Sequence, residues 1–248
     1  GRARFTGPRK LDVGGKVLEA DNIFRNVGAR ALIPDWEGVA QVPYLNNSTI
    51  MGLASLPKHL IIIGGSYIGL EFAQMYRRFG ADVTIVEKGP RLIAREDDEV
   101  SAAIQEILER DGIRIRLNAG CIRLAKSPAG VTVGVHCEEE PREVEGSHVL
   151  IAVGRRPNTD DLGLAAAGIG TDARGYVTVD DQLRTSAPGV WALGDVNGRG
   201  AFTHTSYNDY EIVADNLLAG YSRRVTDRIP AYALYTDPPP PRVGAEER

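Results

Sequence analysis

The sequence predicts an α/β fold built around a parallel β-sheet, and three observations lead to it. The run HLIIIG at residues 59–64 is continuously apolar and ends on glycine, as expected of a strand buried on both faces. Two further strand-like runs, DVTIVEK and IRIRL, follow, each after a stretch long enough for one helix. The residues after them alternate β-like runs with turns, so we expect a β-meander beside the parallel sheet.

The segments on either side of this unit show shorter β-like runs and more turn and loop signals. Residues 1–35 alternate short β-like runs with turns, one of them at Gly14–Gly15. Residues 36–58 carry loop and turn signals, and Ser48 or Thr49 is a candidate cap for a short helix there. From residue 155 the chain returns to loops and short strands, until HTSYNDYEIVADNLLAG predicts a helix closed by glycine.

Two helices are predicted between the apolar strands. In YIGLEFAQMYRRFG the larger apolar residues recur at helical spacing, at Ile68, Phe72, Met75, Tyr76 and Phe79. Gly80 is a suitable residue to end this helix. DDEVSAAIQEILERDG has acids at its start and glycine at its end, which predicts a second helix. The order βαβαβ is the mononucleotide-binding half of a Rossmann-type sheet. The β-runs of the meander are joined by turns at SPAG and EEEP, and SHVLIAVG then closes the unit as another apolar strand.

Composition limits the possible functions. The net charge of −4 shows no basic excess that would favour nucleic acid as a partner. No apolar run approaches the roughly 20 residues needed to span a bilayer, and the first ten residues do not resemble a signal peptide. The two cysteines, Cys121 and Cys137, and the four histidines have no metal-ligand spacing, so no metal site is predicted. We expect a cytoplasmic protein.

The turn after the first apolar strand carries a modified dinucleotide fingerprint. The pattern G-x-G-x-x-G has Gly64 and Gly69 in its first and third places and Ser66 in its second. Gly64 supplies the tight turn, Gly65 keeps it flexible, and Gly69 lets the helix pack on the strand. Ser66 narrows the approach to the pyrophosphate, but its hydroxyl can donate to a phosphate oxygen. A strand–turn–helix without a nucleotide is the alternative.

An acid at the end of the second strand supports the nucleotide interpretation. Glu87 lies 23 positions after Gly64 and can accept both ribose hydroxyls of NAD. Its carboxylate would repel a 2′-phosphate, so NAD(H) is predicted over NADP(H). Lys88 and Arg91 lie close enough to weaken that preference.

Six motifs, in this order, resemble the FAD-dependent pyridine nucleotide–disulfide oxidoreductases. They are NVGARALIP, IIIGGSYIGLEFAQ, VTIVEK, IAVGRRPNT, APGVWALGD and YALYTDPP. Details such as FTHTSYND are most similar to mercuric reductase-like members, and dihydrolipoamide dehydrogenase belongs to the same group. The resemblance implies an oxidoreductase that passes hydride from NAD(P)H to FAD and then electrons to a disulfide, Hg(II) or another acceptor.

The resemblance also implies roles for individual residues. Tyr67 matches an aromatic gate over the nicotinamide, and Glu71 an acid beside the flavin; a packed tyrosine and a first-turn helix charge are the alternatives. The implied NAD(P) residues are Gly64, Gly65, Ser66, Ile68, Gly69, Glu87, Lys88 and Gly154. The implied FAD residues are Gly28, Asp195, Thr203 and His204, which alone would be ordinary turn, cap or surface residues.

Parts of the family pattern are missing from the sequence. It has no FAD fingerprint at its start, no C-x-x-x-x-C pair and no complete dimerisation domain, so we expect an internal fragment of a family that forms homodimers. The predicted segments are an FAD-binding part at 1–55 and 155–230, an NAD(P)-binding domain at 56–154, and the start of a dimerisation domain at 231–248. We expect little or no turnover from this chain alone. A non-catalytic NAD(H)-binding module, or part of a transhydrogenase or NADH oxidase, stays open.

Overall fold

The computed structural model describes residues 1–136 and 142–244 and divides the chain into two compact units. Unit 1 contains residues 1–30 and 155–229, and unit 2 contains the described residues of 31–154 and 230–248. The predicted turn EEEP lies outside the described residues.

The described elements include sixteen strands, three α-helices and five short 3-10 helices. The strands, in chain order, are β1 Ala3–Gly7, β2 Lys10–Val13, β3 Lys16–Glu19, β4 Ile23–Arg25, β5 Ala29–Ala31, β6 His59–Ile63, β7 Asp82–Val86, β8 Arg114–Arg116, β9 Gly120–Ser127, β10 Gly130–His136, β11 Glu143–Gly146, β12 His148–Ile151, β13 Arg155–Pro157, β14 Val190–Ala192, β15 Ala231–Ala233 and β16 Pro241–Val243. The helices are α1 Tyr67–Arg78, α2 Asp98–Arg110 and α3 Thr203–Leu218.

A four-stranded parallel sheet forms the centre of unit 2. Its strand order is β12-β6-β7-β8, and every neighbouring pair is parallel. The helices α1 and α2 connect β6 to β7 and β7 to β8, so the βαβαβ order predicted from the sequence is confirmed. The strands β9, β10 and β11 form the predicted antiparallel meander.

The apolar run of β6 is buried on both faces because its side chains alternate between two cores. Leu60 and Ile62 pack in a core that includes residues of α1 and α2. Ile61 and Ile63 pack in a second core that includes meander residues such as Val133. Helices therefore cover one face of the sheet and the meander covers the other.

The buried face of α1 combines small and large residues. Its buried positions are Gly69, Leu70, Ala73, Gln74 and Tyr76. Of the apolar residues noted at helical spacing, Tyr76 is thus buried, Phe72 is partly buried, and Phe79, the C-cap, is 62% exposed. Small residues let the helix axis approach the strands closely, and a count of large apolar residues does not detect such a face.

Residues 31–55 lie in unit 2 rather than with residues 1–30. Val39 and Val42 are buried in the core that faces the meander. The amide of Leu45 donates to the carbonyl of Val149 at 2.8 Å, and the amide of Ile151 donates to the Leu45 carbonyl at 2.9 Å. The segment thus extends the sheet beside β12. Its cofactor assignment, like that of the other predicted segments, stays a prediction.

Unit 1 has a core of its own between short strands and α3. The strands β1, β2 and β3 form an antiparallel meander, β4 pairs with β14 in parallel, and β5 pairs with β13. The ring of Phe24 stacks on Trp191 across the β4–β14 pair, with 5.3 Å between ring centroids.

Across the described residues, no helix is both long enough and apolar enough to cross a membrane.

Candidate dinucleotide site

The glycine loop between β6 and α1 is packed too closely for side chains at two positions. Gly64 has φ +112°, and a Cβ there would lie 2.4 Å from the carbonyl oxygen of Ala152. A Cβ at Gly69 would lie 2.1 Å from the carbonyl oxygen of Gly64. Gly64 therefore makes the tight turn that the motif predicts. Gly69 was predicted to let the helix pack on the strand, and the nearest neighbour of a Cβ there is instead the carbonyl of the glycine loop, with Cγ2 of Ile62 in β6 at 3.4 Å.

Gly65 has a different role from the predicted one. A Cβ at this position would lie 2.6 Å from Cδ2 of Leu92 and 3.1 Å from Cβ of Glu87. Its φ is not positive, so backbone freedom is not what this position requires. Glycine lets the side chains of Leu92 and Glu87 pack directly against the loop.

Ser66 is the N-cap of α1 and has an extended backbone. Its hydroxyl makes no capping hydrogen bond, and the residue is exposed. The first four amides of an α-helix have no intrahelical acceptor, and the helix dipole makes this end positive. The hydroxyl and these amides together can face an anion.

Glu87 lies directly after β7 and against the glycine loop. Its Oε2 accepts a hydrogen bond from the amide of Gly65 at 2.5 Å, and its Oε1 accepts one from the amide of Gly89 at 2.7 Å. Two backbone donors therefore fix a half-buried carboxylate beside the start of α1. A carboxylate oxygen can accept more than one hydrogen bond, so the group can still receive ribose hydroxyls.

The two cations expected near Glu87 have different surroundings. The guanidinium of Arg91 forms an ion pair with Asp98 and donates to the carbonyl of Ala94 at 3.0 Å. Lys88 is exposed. Of the two, Arg91 is thus already engaged within the chain.

The predicted nicotinamide residues lie on α1. Tyr67 is its first residue, and its hydroxyl donates to Oε1 of Glu96. Burial and this hydrogen bond raise the pKa of Tyr67 above its ordinary value. Glu71 lies one turn later in α1, so the alternative that it is a first-turn helix charge is wrong. Its Oε1 accepts a hydrogen bond from the amide of Tyr235 at 3.0 Å. Ile68 is partly buried.

Sequence reasoning missed the group around Glu96. Its Oε1 also accepts from the hydroxyl of Tyr232 at 2.8 Å, and its Oε2 accepts from Nη1 of Arg242 at 2.5 Å. Burial favours a raised pKa for Glu96, but the hydrogen bonds from Tyr67, Arg242 and Tyr232 outweigh it, and the pKa is lowered. Nothing in the local run AREDDEV indicates partners so distant in the chain.

In unit 1, a separate cavity of about 600 Å³ contains three of the four predicted flavin residues, Gly28, Asp195 and Thr203. Oδ2 of Asp195 accepts from Nη1 of Arg155 at 2.5 Å, and Arg155, which the sequence analysis did not select, also lines this cavity. The ring of His204 stacks on Phe202 at 5.4 Å between centroids. Gly154 is part of unit 2 and lies three residues after β12.

The loop that carries Asp195 is held by an acid that sequence reasoning also missed. Asp209 of α3 is 2% exposed. Its Oδ2 accepts from the amide of Gly194 at 2.8 Å and from Nδ2 of Asn197 at 2.9 Å, and its Oδ1 accepts from Arg228. The sequence does contain a signal for this buried acid. Asp209 lies about one turn before the apolar residues Ile212 and Val213 and shares the buried face of α3 with them.

Comparisons with known proteins support the family resemblance. A family model described as pyridine nucleotide-disulphide oxidoreductase matches residues 1–209. The chain is 39% identical over 254 residues to the probable pyridine nucleotide-disulfide oxidoreductase RclA of Escherichia coli, covering 100% of this chain and 56% of that protein. It is 36% identical to a mercuric reductase of Streptomyces lividans, covering 100% of this chain and 53% of that protein.

A solved structure is similar over the same extent. The structure of the HOCl-induced flavoprotein disulfide reductase RclA from Escherichia coli matches with a TM-score of 0.92 and 38% identity, covering 100% of this chain and 57% of that chain. The chain therefore spans about half the length of the relatives it matches.

Proposed function

Because the chain belongs to the pyridine nucleotide-disulphide oxidoreductase family, we propose that it is the NAD(P)H-binding portion of a flavin-dependent oxidoreductase. The observation that carries the proposal is the half-buried carboxylate of Glu87, which two backbone amides hold against the glycine loop. In the intact protein, a bound nicotinamide would supply hydride to FAD, and the flavin would pass the two electrons to a disulfide, Hg(II) or another acceptor.

Several groups of unit 2 support the binding of NAD(H). The amides at the start of α1 and the hydroxyl of Ser66 bind the pyrophosphate, because both present donors at the positive end of a helix dipole. Glu87 accepts the ribose hydroxyls and repels a 2′-phosphate, so NAD(H) binds more tightly than NADP(H). Gly154, Ile68 and Lys88 complete the proposed nucleotide contacts, and Tyr67 and Glu71 position the nicotinamide end.

Unit 1 contributes the flavin residues of the intact protein. The cavity lined by Gly28, Asp195 and Thr203 is polar at Asp195 and Arg155, which fits a hydroxylated chain such as ribityl. His204 lies next to Thr203 at the start of α3. These residues hold or orient the flavin, and we propose that the intact protein is a homodimer, as the family resemblance implies.

Glu87→Ala is expected to weaken NADH binding by about 1–3 kcal/mol, because ribose hydroxyls and the Gly65 amide lose a charged acceptor. NADPH binding is expected to weaken less, so the preference for NADH narrows. Isothermal titration of both nucleotides checks this. Glu109→Ala, the same change at the far end of α2, serves as the control. Unchanged NADH affinity in Glu87→Ala, or NADPH binding as tight as NADH in the unaltered chain, would contradict the proposal.

The chain alone is expected to have little or no reductase turnover. Its two cysteines are Cys121 and Cys137, and the 248 residues contain no C-x-x-x-x-C pair that could relay electrons. The test is NADH oxidation with a dye acceptor, with and without added FAD. Robust FAD-dependent turnover would count against this part of the proposal.

A further inference from the structure

The C-terminal strap, which we define as residues 231–242, runs along one face of α1. Besides the bond from the amide of Tyr235 to Glu71, the amide of Asp237 donates to Oε1 of Gln74 at 2.7 Å. Nε2 of Gln74 donates back to the carbonyl of Asp237 at 3.0 Å. Positions 67, 71, 74 and 78 share one side of a helix, and Nη1 of Arg78 donates to Oδ2 of Asp237 at 2.8 Å.

The strap meets Tyr67 at the start of the same helix face. The rings of Tyr67 and Tyr232 make an edge-to-face contact with centroids 5.9 Å apart. Both hydroxyls donate to the same oxygen of Glu96, while Arg242 donates to the other oxygen. Glu96 is 7% exposed, so its carboxylate depends on these donors for solvation.

The two strap residues that hold Glu96 come from one hairpin. Tyr232 in β15 and Arg242 in β16 are direct partners in the antiparallel register. A change in the docking of this hairpin would move both donors together. The acceptor for the Tyr67 hydroxyl therefore depends on the strap, although Glu96 itself belongs to the loop before α2.

The ring of Tyr67 is not packed on all sides. It lines a cavity of about 310 Å³ together with Tyr232, Leu234 and Pro240 of the strap and with Ile93 and Val100. A tyrosine beside open space can adopt more than one rotamer, and the hydrogen bond to Glu96 selects one of them.

We propose that Glu96 is a positioning residue for Tyr67, and that the C-terminal strap sets the nicotinamide end of the nucleotide site through Glu96 and Glu71. The inference rests on the proposed function, in which Tyr67 and Glu71 position the nicotinamide. It assigns a role to three residues outside the glycine fingerprint, Glu96, Tyr232 and Arg242. The pyrophosphate and ribose contacts at Ser66 and Glu87 do not depend on the strap.

The test compares two ligands that differ at the nicotinamide end. Isothermal titration of NADH and of ADP-ribose, which lacks the nicotinamide, is carried out on the full chain and on Glu96→Ala. NADH affinity is expected to fall about three- to ten-fold, the range of one net hydrogen bond, while ADP-ribose affinity stays within about two-fold. Glu99→Gln, an exposed acid in the first turn of α2, is the control.

Hydrogen exchange supplies a readout that needs no ligand. The amides of Tyr235 and Asp237 are expected to exchange faster in Glu96→Ala than in Glu99→Gln, because the strap is released from α1. If Glu96→Ala fails to fold, Tyr232→Phe removes one donor and is expected to shift NADH affinity in the same direction with no effect on ADP-ribose.

The outcomes separate the inference from the proposed function. Equal weakening of NADH and ADP-ribose, or unchanged NADH affinity with unchanged exchange at Tyr235, would overturn the role of Glu96. Tighter NADH binding in Glu96→Ala would also overturn it, since the strap would then obstruct the nicotinamide. An unaltered chain that binds neither ligand would instead overturn the proposed function, and with it the nicotinamide role of Glu96.

Discussion

Asp209→Asn is expected to destabilise unit 1 by about 3–5 kcal/mol, the range for removing one partner of a buried ion pair. The side chains of Asp209 and Arg228 are 3% and 14% exposed. An asparagine amide would turn donors toward either the Arg228 guanidinium or the Gly194 amide, and each of these groups is itself a donor. In either orientation Arg228 loses the carboxylate of its buried ion pair, and in one of them the Gly194 amide also loses its acceptor.

The measurement is urea unfolding of unit 1 followed by tryptophan fluorescence. The chain has two tryptophans, Trp36 in unit 2 and Trp191 in unit 1, so a Trp36→Phe background reports unit 1 alone. Asp215→Asn is the matched control, because Asp215 lies on the same helix and its ion pair with Arg223 is partly exposed. Such exposed pairs contribute about 1 kcal/mol or less. Equal shifts for the two variants would contradict the role of Asp209.

Gly69→Ala is expected to weaken NADH binding by at least about ten-fold and to cost about 1–3 kcal/mol of unfolding free energy. The added Cβ would meet the carbonyl oxygen of Gly64 at 2.1 Å. That oxygen belongs to the main chain, so no side-chain rotation relieves the clash. Either α1 or the glycine loop must move, and both carry proposed pyrophosphate donors.

Two measurements check this prediction, nucleotide titration and unfolding followed by tryptophan fluorescence. The unfolding uses a Trp191→Phe background, in which Trp36 reports unit 2 alone. Gly52→Ala is the control, because a Cβ at Gly52 meets nothing within 4 Å. NADH affinity in Gly69→Ala equal to that in Gly52→Ala would remove the glycine loop from the proposed site.

The sequence was informative where structure depends on near neighbours in the chain. The βαβαβ order follows from apolar runs and helix stops, and Glu87 meets the glycine loop because adjacent parallel strands end at the same edge. Glu87 lies 22 positions after Gly65, and each apolar run and each helix stop is a short pattern of neighbouring residues. A local pattern therefore contained them.

It was uninformative where distant segments meet. Glu96 and Arg242 are separated by 146 positions, and neither the acid run nor the proline-rich end predicts the other. On α1 the buried positions include the small residues Gly69 and Ala73, which a search for large apolar residues does not detect. Residues 31–55 lack a periodic pattern, although Val39, Val42 and Leu45 join the sheet unit.

The bridge at Leu45 has a consequence for self-association. Parallel sheets expose unpaired backbone groups along their outermost strands, and such edges can recruit strands from other molecules. Here Leu45 occupies backbone groups on the outer side of β12. The opposite edge, β8, is three residues long and begins and ends with arginine. Both edges of the four-stranded sheet are therefore protected against pairing with strands of other molecules, which is the step that would lead to fibrils.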